Sequence, residues 1–398
     1  MYNYIKMIKG MLLMNFRDEY MNIREEILHT RRTIHANPEL GFEEFQTAQT
    51  IKTILNKYHI SYIDQIAKTG ICATIGNSTE KVLLIRADMD ALPIEEKTQL
   101  EYASEKNGLM HACGHDIHIS SALAAAIILK KFENKLNGTV KIVFQPAEET
   151  TGGAKPMINE GIMDNPKVTA AIGGHVSGEY PAGIFKVKSG PIMASPDDFM
   201  VRFIGKSTHG AEPQNGISPI TPACEFVNSL EYIRNELCEG NSNVLSICTV
   251  SSNGGVNTIP DDSLILGTFR CFDEETRKKA SGLLKKHAEN ISAKYRCKSE
   301  FKYNFLYPPV INDPILTEFF VDTAKELYGE KSVITLEKPF MTGDDFAYFG
   351  QNIPAIYFWY GAMKNNPCSL HSSKFDVSED AIEVCTNVFT KFALDYLR

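Results

Sequence analysis

Apolar residues recur along the chain at two spacings. Over residues 43–58, Phe45, Ala48, Ile51 and Leu55 fall three and four apart, which predicts a helix. A second helix is expected over 24–35, and Asn37-Pro38 breaks the chain between the two. The short apolar runs 71–75, 82–85, 139–145 and 168–174 read as strands. A helix rich in Ala and Ile is expected over 117–131, and another over 153–160. Unbroken apolar strands alternating with helices predict an α/β fold, with a central, mostly parallel sheet flanked by helices.

The rhythm changes near residue 195. Residues 199–204 alternate as a strand, 219–237 read as a helix, 244–251 and 263–271 as strands, 274–293 as a helix and 299–303 as a last strand. That order is β-α-β-β-α-β, a complete ferredoxin-like α+β unit. Tyr307-Pro308-Pro309 marks a joint. Beyond it, helices over 314–328 and 379–397 and a strand over 355–359 resume the first pattern. The expected organisation is a catalytic domain in two parts, 1–189 and 304–398, with a lid or dimerisation domain inserted at 190–303.

Composition narrows the function. The 398 residues carry 41 Lys+Arg against 49 Asp+Glu, a net charge of −8. That balance leaves no basic field with which to displace counterions from nucleic acid. No window holds the roughly 18 apolar residues of a membrane span. The N-terminal apolar run, Met11–Met14, falls short of the about 7–15 residues of a secretory core. Nine cysteines, an odd number, are expected as reduced thiols in a cytoplasm.

The candidate chemistry is concentrated at strand ends. His111-Ala-Cys113-Gly-His115-Asp116-Ile-His118 sets three of ten histidines and a cysteine just before a helix. Imidazole, thiolate and carboxylate are the ligands of zinc-like divalent ions. Gln145-Pro-Ala-Glu148-Glu149 follows an apolar strand, where open α/β sheets hold ligands. Neighbouring side chains diverge, so one Glu can bind metal while the other acts as a general base. Arg86-Ala-Asp88-Met-Asp90-Ala-Leu-Pro93 also ends a strand, and either Asp can ligate or orient. His175 is expected just after a strand, and His371 lies near the far end of the chain. His209, beside Gly210 and near Pro213, also suits a plain turn.

Together these segments, with His35-x-x-Pro38-Glu39-Leu40-Gly41, Ser207-Thr-His209-Gly-Ala and Asn257-Thr-Ile-Pro260, resemble the M20 metallopeptidase family. The closer resemblance is to its amidohydrolase branch of aminoacylases, hippurate hydrolases, auxin-conjugate hydrolases and N-acetyldiaminopimelate deacetylases. It runs from about residue 24 to the C-terminus, with the motifs in order. It implies two divalent ions, Zn²⁺ or Mn²⁺ with Co²⁺ or Ni²⁺ as alternatives, held by Cys113, His115, Glu149, His175 and His371. It implies Glu148 as general base and Asp90 as the orienting aspartate. Asp88 falls where relatives outside this branch have a metal histidine. His209 and Asn257 match residues that stabilise the tetrahedral intermediate and hold the substrate carboxylate; Arg270 is expected, apart from the resemblance, to help at that carboxylate. In family dimers that histidine reaches the partner's site. Thr342-Gly343-Asp344-Asp345-Phe346 departs from the branch's usual Gly-Ser-Glu-Asp-Phe by a shorter side chain at 344.

The resemblance therefore implies a metal-dependent amidohydrolase acting on small N-acyl amino acids, working as a homodimer through the inserted domain, without nucleic acid or membrane partners. The alternatives are a metallo-carboxypeptidase or dipeptidase, and a catalytically silent metal-dependent binding protein.

Overall fold

A computed structural model describes residues 2–238 and 243–398, with side chains from Phe16 onward except Cys238. The described chain divides into two compact units: Met1–Ile192 with Ile311–Lys338 and Asp345–Arg398, and Met193–Val310 with Pro339–Asp344.

The first unit is built on an eight-stranded sheet. Its strands β1 (Ser61–Ile66), β2 (Gly70–Gly76), β3 (Val82–Asp88), β4 (Thr139–Gln145) and β5 (Ala170–Ser177) lie in the order β1-β2-β4-β3-β5. Ala355–Gly361, Phe185–Val187 and Val333–Thr335 complete it. β4, β3, β5 and Ala355–Gly361 run parallel in succession. Every residue of these four strands is buried, as strands covered on both faces require. Being parallel, they bring their C-terminal ends to one edge, with Asp88 opposite Gln145 and His175 opposite Trp359. Sequence-distant polar residues are thereby gathered in one place.

Three helices bear on that edge: α1 (Tyr2–Ala36), α2 (Phe45–Lys57) and α3 (His115–Lys131). Helix α3 is buried from His115 to Leu129, consistent with its nearly uniform apolar surface. It starts at Gly114, whose φ of 83° is a left-handed conformation suited to glycine. A Cβ there would lie 2.4 Å from Val176 Cγ1, so the turn also needs a residue without a side chain. Helix α1 begins well before the expected residue 24. Strand β5 extends to Ser177, so His175 lies within the strand and not after it.

The second unit holds a four-stranded antiparallel sheet. Its order is Val244–Ser252, Asp262–Cys271, Ser195–Ile204, Lys298–Asn304, which is the ferredoxin-like arrangement. Phe199, Val201, Phe203, Phe226, Ile265 and Leu284 fill its core. Within this unit Asp197 is buried and accepts hydrogen bonds from Arg277, Tyr303 and the Leu306 N–H. Among the described residues, no helix is long and apolar enough to cross a membrane.

Candidate active site

The parallel strand ends and the turn before α3 converge on a polar cluster. The ligand atoms of Cys113, His115 and His175 lie within 4.8 Å of one another. So do those of Cys113, Glu149 and His371, and those of His115, Glu148 and Glu149. Cys113, His115 and Glu149 each recur in more than one of these groups, so the groups overlap. Cys113 Sγ is 3.3 Å from His175 Nε2, and His371 Nε2 is 3.0 Å from Glu149 Oε1. His371, with φ of 60°, is drawn to the cluster by its N–H, which donates to the Ala112 carbonyl at 2.9 Å.

Hydrogen bonds assign the remaining residues. Asp90 accepts the Glu148 and Glu149 N–H groups, at 3.0 and 2.9 Å, and its Oδ1 is 3.3 Å from His115 Nδ1. Asp88 is saturated differently, by Arg86 Nη1 at 2.6 Å and His118 Nδ1 at 2.5 Å. Asp90 thus meets the Glu148–Glu149 turn and His115 Nδ1, whereas Asp88 meets Arg86 and His118 and lies 3.6 Å from His115 Nε2. His118 donates from Nδ1 to Asp88 and accepts the Val176 N–H at Nε2, 2.9 Å away, so both its nitrogens are engaged. It steadies the strand that carries His175. His175 Nδ1 meets the Val176 carbonyl at 2.8 Å, which fixes the proton there and leaves Nε2 bare toward Cys113. The Trp359 ring packs on His175 with centroids 4.7 Å apart.

A buried frame lies behind these groups. Arg86 donates to Gln145 Oε1 at 3.0 Å and Asp345 Oδ1 at 2.9 Å, and Gln145 Nε2 donates to both Asp345 oxygens. Position 344 carries the shorter side chain, but its neighbour Asp345 is the one that ties β3, β4 and the Ala154 N–H together. The roles of Asp345, Gln145 and His118 had no local signal, because their partners lie far away along the chain.

The electrostatics suit cations. Burial pushes the Cys113 thiol well above its usual range, and Glu149 and Glu148 add to the shift. Burial disfavours charge on His115, but Asp88, Asp90 and Glu149 outweigh it and raise the imidazole to about 10. Burial and the neighbouring His118 hold His175 down, at about 3. His115 is wholly buried; its Nδ1 faces Asp90, while its Nε2 lies 3.6 Å from Asp88 Oδ2 and 4.0 Å from Glu149 Oε1, beyond hydrogen-bond distance. A buried imidazole nitrogen with no hydrogen bond, facing carboxylates beside a thiol, fits divalent metal, since binding would replace the protons on Cys113 and His115.

His209, Asn257 and Arg270 lie in the second unit. His209 is exposed, and its Nδ1 accepts the Ala211 N–H at 3.1 Å, the turn contact anticipated as its plain alternative. Nε2 is the ring nitrogen outside that turn. His209 pairs with Thr258, the residue after Asn257, and the Asn257 carbonyl accepts the Gly210 N–H at 2.7 Å. Arg270 Nη1 donates to the Met341 carbonyl at 2.9 Å.

Glu44, which sequence reading passed over, is fully buried against the Glu148–Glu149 turn. Burial drives its carboxyl from 4.5 to about 7, with Asp90 adding to the rise and the hydrogen bonds from Thr69 and Ala147 opposing it. Between pH 4.5 and 7 the unfolded chain releases this proton while the folded chain keeps it. Rising pH therefore weakens the folded state across that window, by up to about 3 kcal/mol. Glu44→Gln does not titrate. In metal-stripped protein its stability relative to wild type should grow from pH 4.5 to 7 and level off above. A stability difference from chemical denaturation that does not vary with pH would remove Glu44 as the cause.

Fold and site together describe an α/β protein with overlapping groups of potential metal ligands at the edge of a parallel sheet. The sequence model of Peptidase family M20/M25/M40 matches residues 84–395. Thermostable carboxypeptidase 2 of Saccharolobus solfataricus is 35% identical over 94% of this chain and 96% of its own. N-acetylcysteine deacetylase of Bacillus subtilis is 36% identical over 92% of this chain and 96% of its own. The crystal structure of the Bacillus subtilis YXEP protein, a dinuclear metal binding peptidase of family M20, superposes with a TM-score of 0.82 at 34% identity, covering 95% of this chain and 99% of that one. The chain belongs to Peptidase family M20/M25/M40 and is a hydrolase of amide bonds.

Proposed function

We propose that the protein hydrolyses N-acyl amino acids to a carboxylic acid and a free amino acid. The observation that carries this reading is the overlapping ligand set of buried Cys113, His115 and His175, half-buried Glu149 and exposed His371, with Glu148 adjoining it. Thiolate, imidazole and carboxylate together suit Zn²⁺ or Mn²⁺. Two such ions, when bound, supply Lewis acidity for the scissile carbonyl and lower the pKa of water. Glu148 takes the proton of the attacking water and delivers it to the leaving nitrogen. Asp90 acts through His115 and through the backbone of the Glu148–Glu149 turn, as a positioning residue. Asn257 and Arg270 hold the substrate carboxylate, and His209 Nε2 donates to the developing oxyanion. The second unit serves as lid and dimerisation domain. The free thiols Cys72, Cys113 and Cys385 support a reducing, cytoplasmic compartment.

A panel of N-acetyl and N-benzoyl amino acids, with short peptides as a second arm, tests the reading in the presence of Zn²⁺ or Mn²⁺. Acetate or benzoate release supports it. Turnover of the peptides alone would favour the carboxypeptidase alternative, which the Saccharolobus relative brings in.

A homodimer accompanies this proposal. The edge strand Val244–Ser252 carries no charged residue and is exposed from Cys248 onward, whereas Lys298–Asn304 at the opposite edge carries Lys298, Glu300 and Lys302. Charged edges resist pairing and uncharged ones invite it. A symmetric dimer through the uncharged edge would present His209 to the partner's site. Mixing inactive His209→Ala with inactive Glu148→Gln under subunit exchange should then restore activity, because one composite site is intact. A mixture that stays inactive after verified exchange would show that His209 does not act across an interface.

A further inference from the structure

The motif His35-x-x-Pro38-Glu39-Leu40-Gly41 has no part in the ligand set, yet the segment it opens touches three of the turns that carry site residues. His35 Nδ1 is 2.8 Å from Asp116 Oδ2, next to His115, and Arg31 Nε meets the same oxygen at 2.8 Å. Both His35 and Asp116 are buried. The Glu39 carbonyl accepts the N–H of Ala91, next to Asp90, at 2.8 Å. The Glu39 carboxylate meanwhile accepts the Gln46 and Thr47 N–H groups, fixing the segment to the start of α2. Gly41 lies against the third turn, where a Cβ would sit 2.7 Å from Thr150 Oγ1 and 2.9 Å from Ala147 Cα. Glu44 Oε1 accepts the Ala147 N–H at 2.9 Å, and its Oε2 accepts the Thr69 hydroxyl at 2.6 Å. Ala147 has φ of 57°, an unfavourable value for a residue with a side chain, and it immediately precedes Glu148.

We propose that residues 35–44 are a brace that sets the relative positions of the three site-bearing turns, with Glu44 the positioning residue for Glu148 and Glu149. The inference rests on the dinuclear hydrolase reading for its catalytic consequence, but not for its structural one. One contiguous segment contacts the turns at 90–91, 115–116 and 147–150, which are otherwise separated in sequence. Glu44 holds Ala147 in its strained conformation, and that conformation aims the next two side chains. Small displacements of such groups cost rate steeply.

The test uses the full chain. In metal-stripped protein, deuterium uptake over 145–150 should rise in Glu44→Ala and stay near wild type in Glu44→Gln, whose amide oxygen still accepts the Ala147 N–H. With Zn²⁺ or Mn²⁺ bound, Glu44→Ala should lose kcat by about tenfold or more with KM within about twofold, and Glu44→Gln should recover most of it. If Glu44→Ala does not fold, Gly41→Ala carries both measurements, because it crowds Ala147 without removing a hydrogen bond; the same two changes are expected. Unchanged uptake in the altered protein, or a kcat loss that Glu44→Gln fails to recover, overturns the brace. A wild-type protein that hydrolyses no N-acyl amino acid would defeat the functional reading instead, and the exchange measurement would still decide the brace.

Discussion

Glu148→Gln is expected to keep its metal and its fold and to lose turnover by a factor of about 10² or more. The side chain stands in the polar cluster beside Glu149, and its backbone N–H is held by Asp90 at 3.0 Å. The amide is nearly isosteric with the carboxylate, so neither the turn nor the neighbouring ligands need move. What it cannot do is accept a proton from water and return it to the leaving nitrogen. The loss should therefore fall on kcat, with metal content by elemental analysis unchanged. A Gln variant with near-normal kcat would take Glu148 out of the mechanism.

Cys113→Ser should release metal. The Cys113 thiol is buried and its pKa is raised by burial and by two glutamates, so the sulfur becomes a thiolate only when a cation is present to hold it. Serine offers a neutral, poorly ligating oxygen in its place. Affinity should fall by more than the roughly 10–100-fold that follows loss of an outer partner alone. The helical circular dichroism signal should persist, since α1 and α3 are held by a core in which Cys113 has little share. Unchanged metal stoichiometry would reduce Cys113 to a packing thiol.

Both residues were visible in the sequence because their signals are local. A cysteine and three histidines within eight residues, and paired glutamates after an apolar strand, need no tertiary information. The buried strands were equally legible, since a fully covered parallel strand is an unbroken apolar run. Shorter strands such as Phe185–Val187 and Val333–Thr335 were not, because three residues carry no period. The choice between Asp88 and Asp90 could not be read either. Only the fold shows that Asp90 meets the Glu148 and Glu149 amides, 58 and 59 residues away. His118 looked like a ligand by density and is engaged at both nitrogens by Asp88 and Val176. Glu44 resembled any surface glutamate near a helix start, and its burial comes entirely from the fold.

Trp359 is the only tryptophan in the chain, and its ring lies 4.7 Å from that of His175. All indole emission from this protein thus originates beside one edge of the proposed metal centre. Charge arriving at His175 alters the field on that single fluorophore with no other tryptophan to dilute the change. If the proposed centre binds its ions, the emission of Trp359 is expected to change on titration with Zn²⁺, readable in a cuvette without label or substrate.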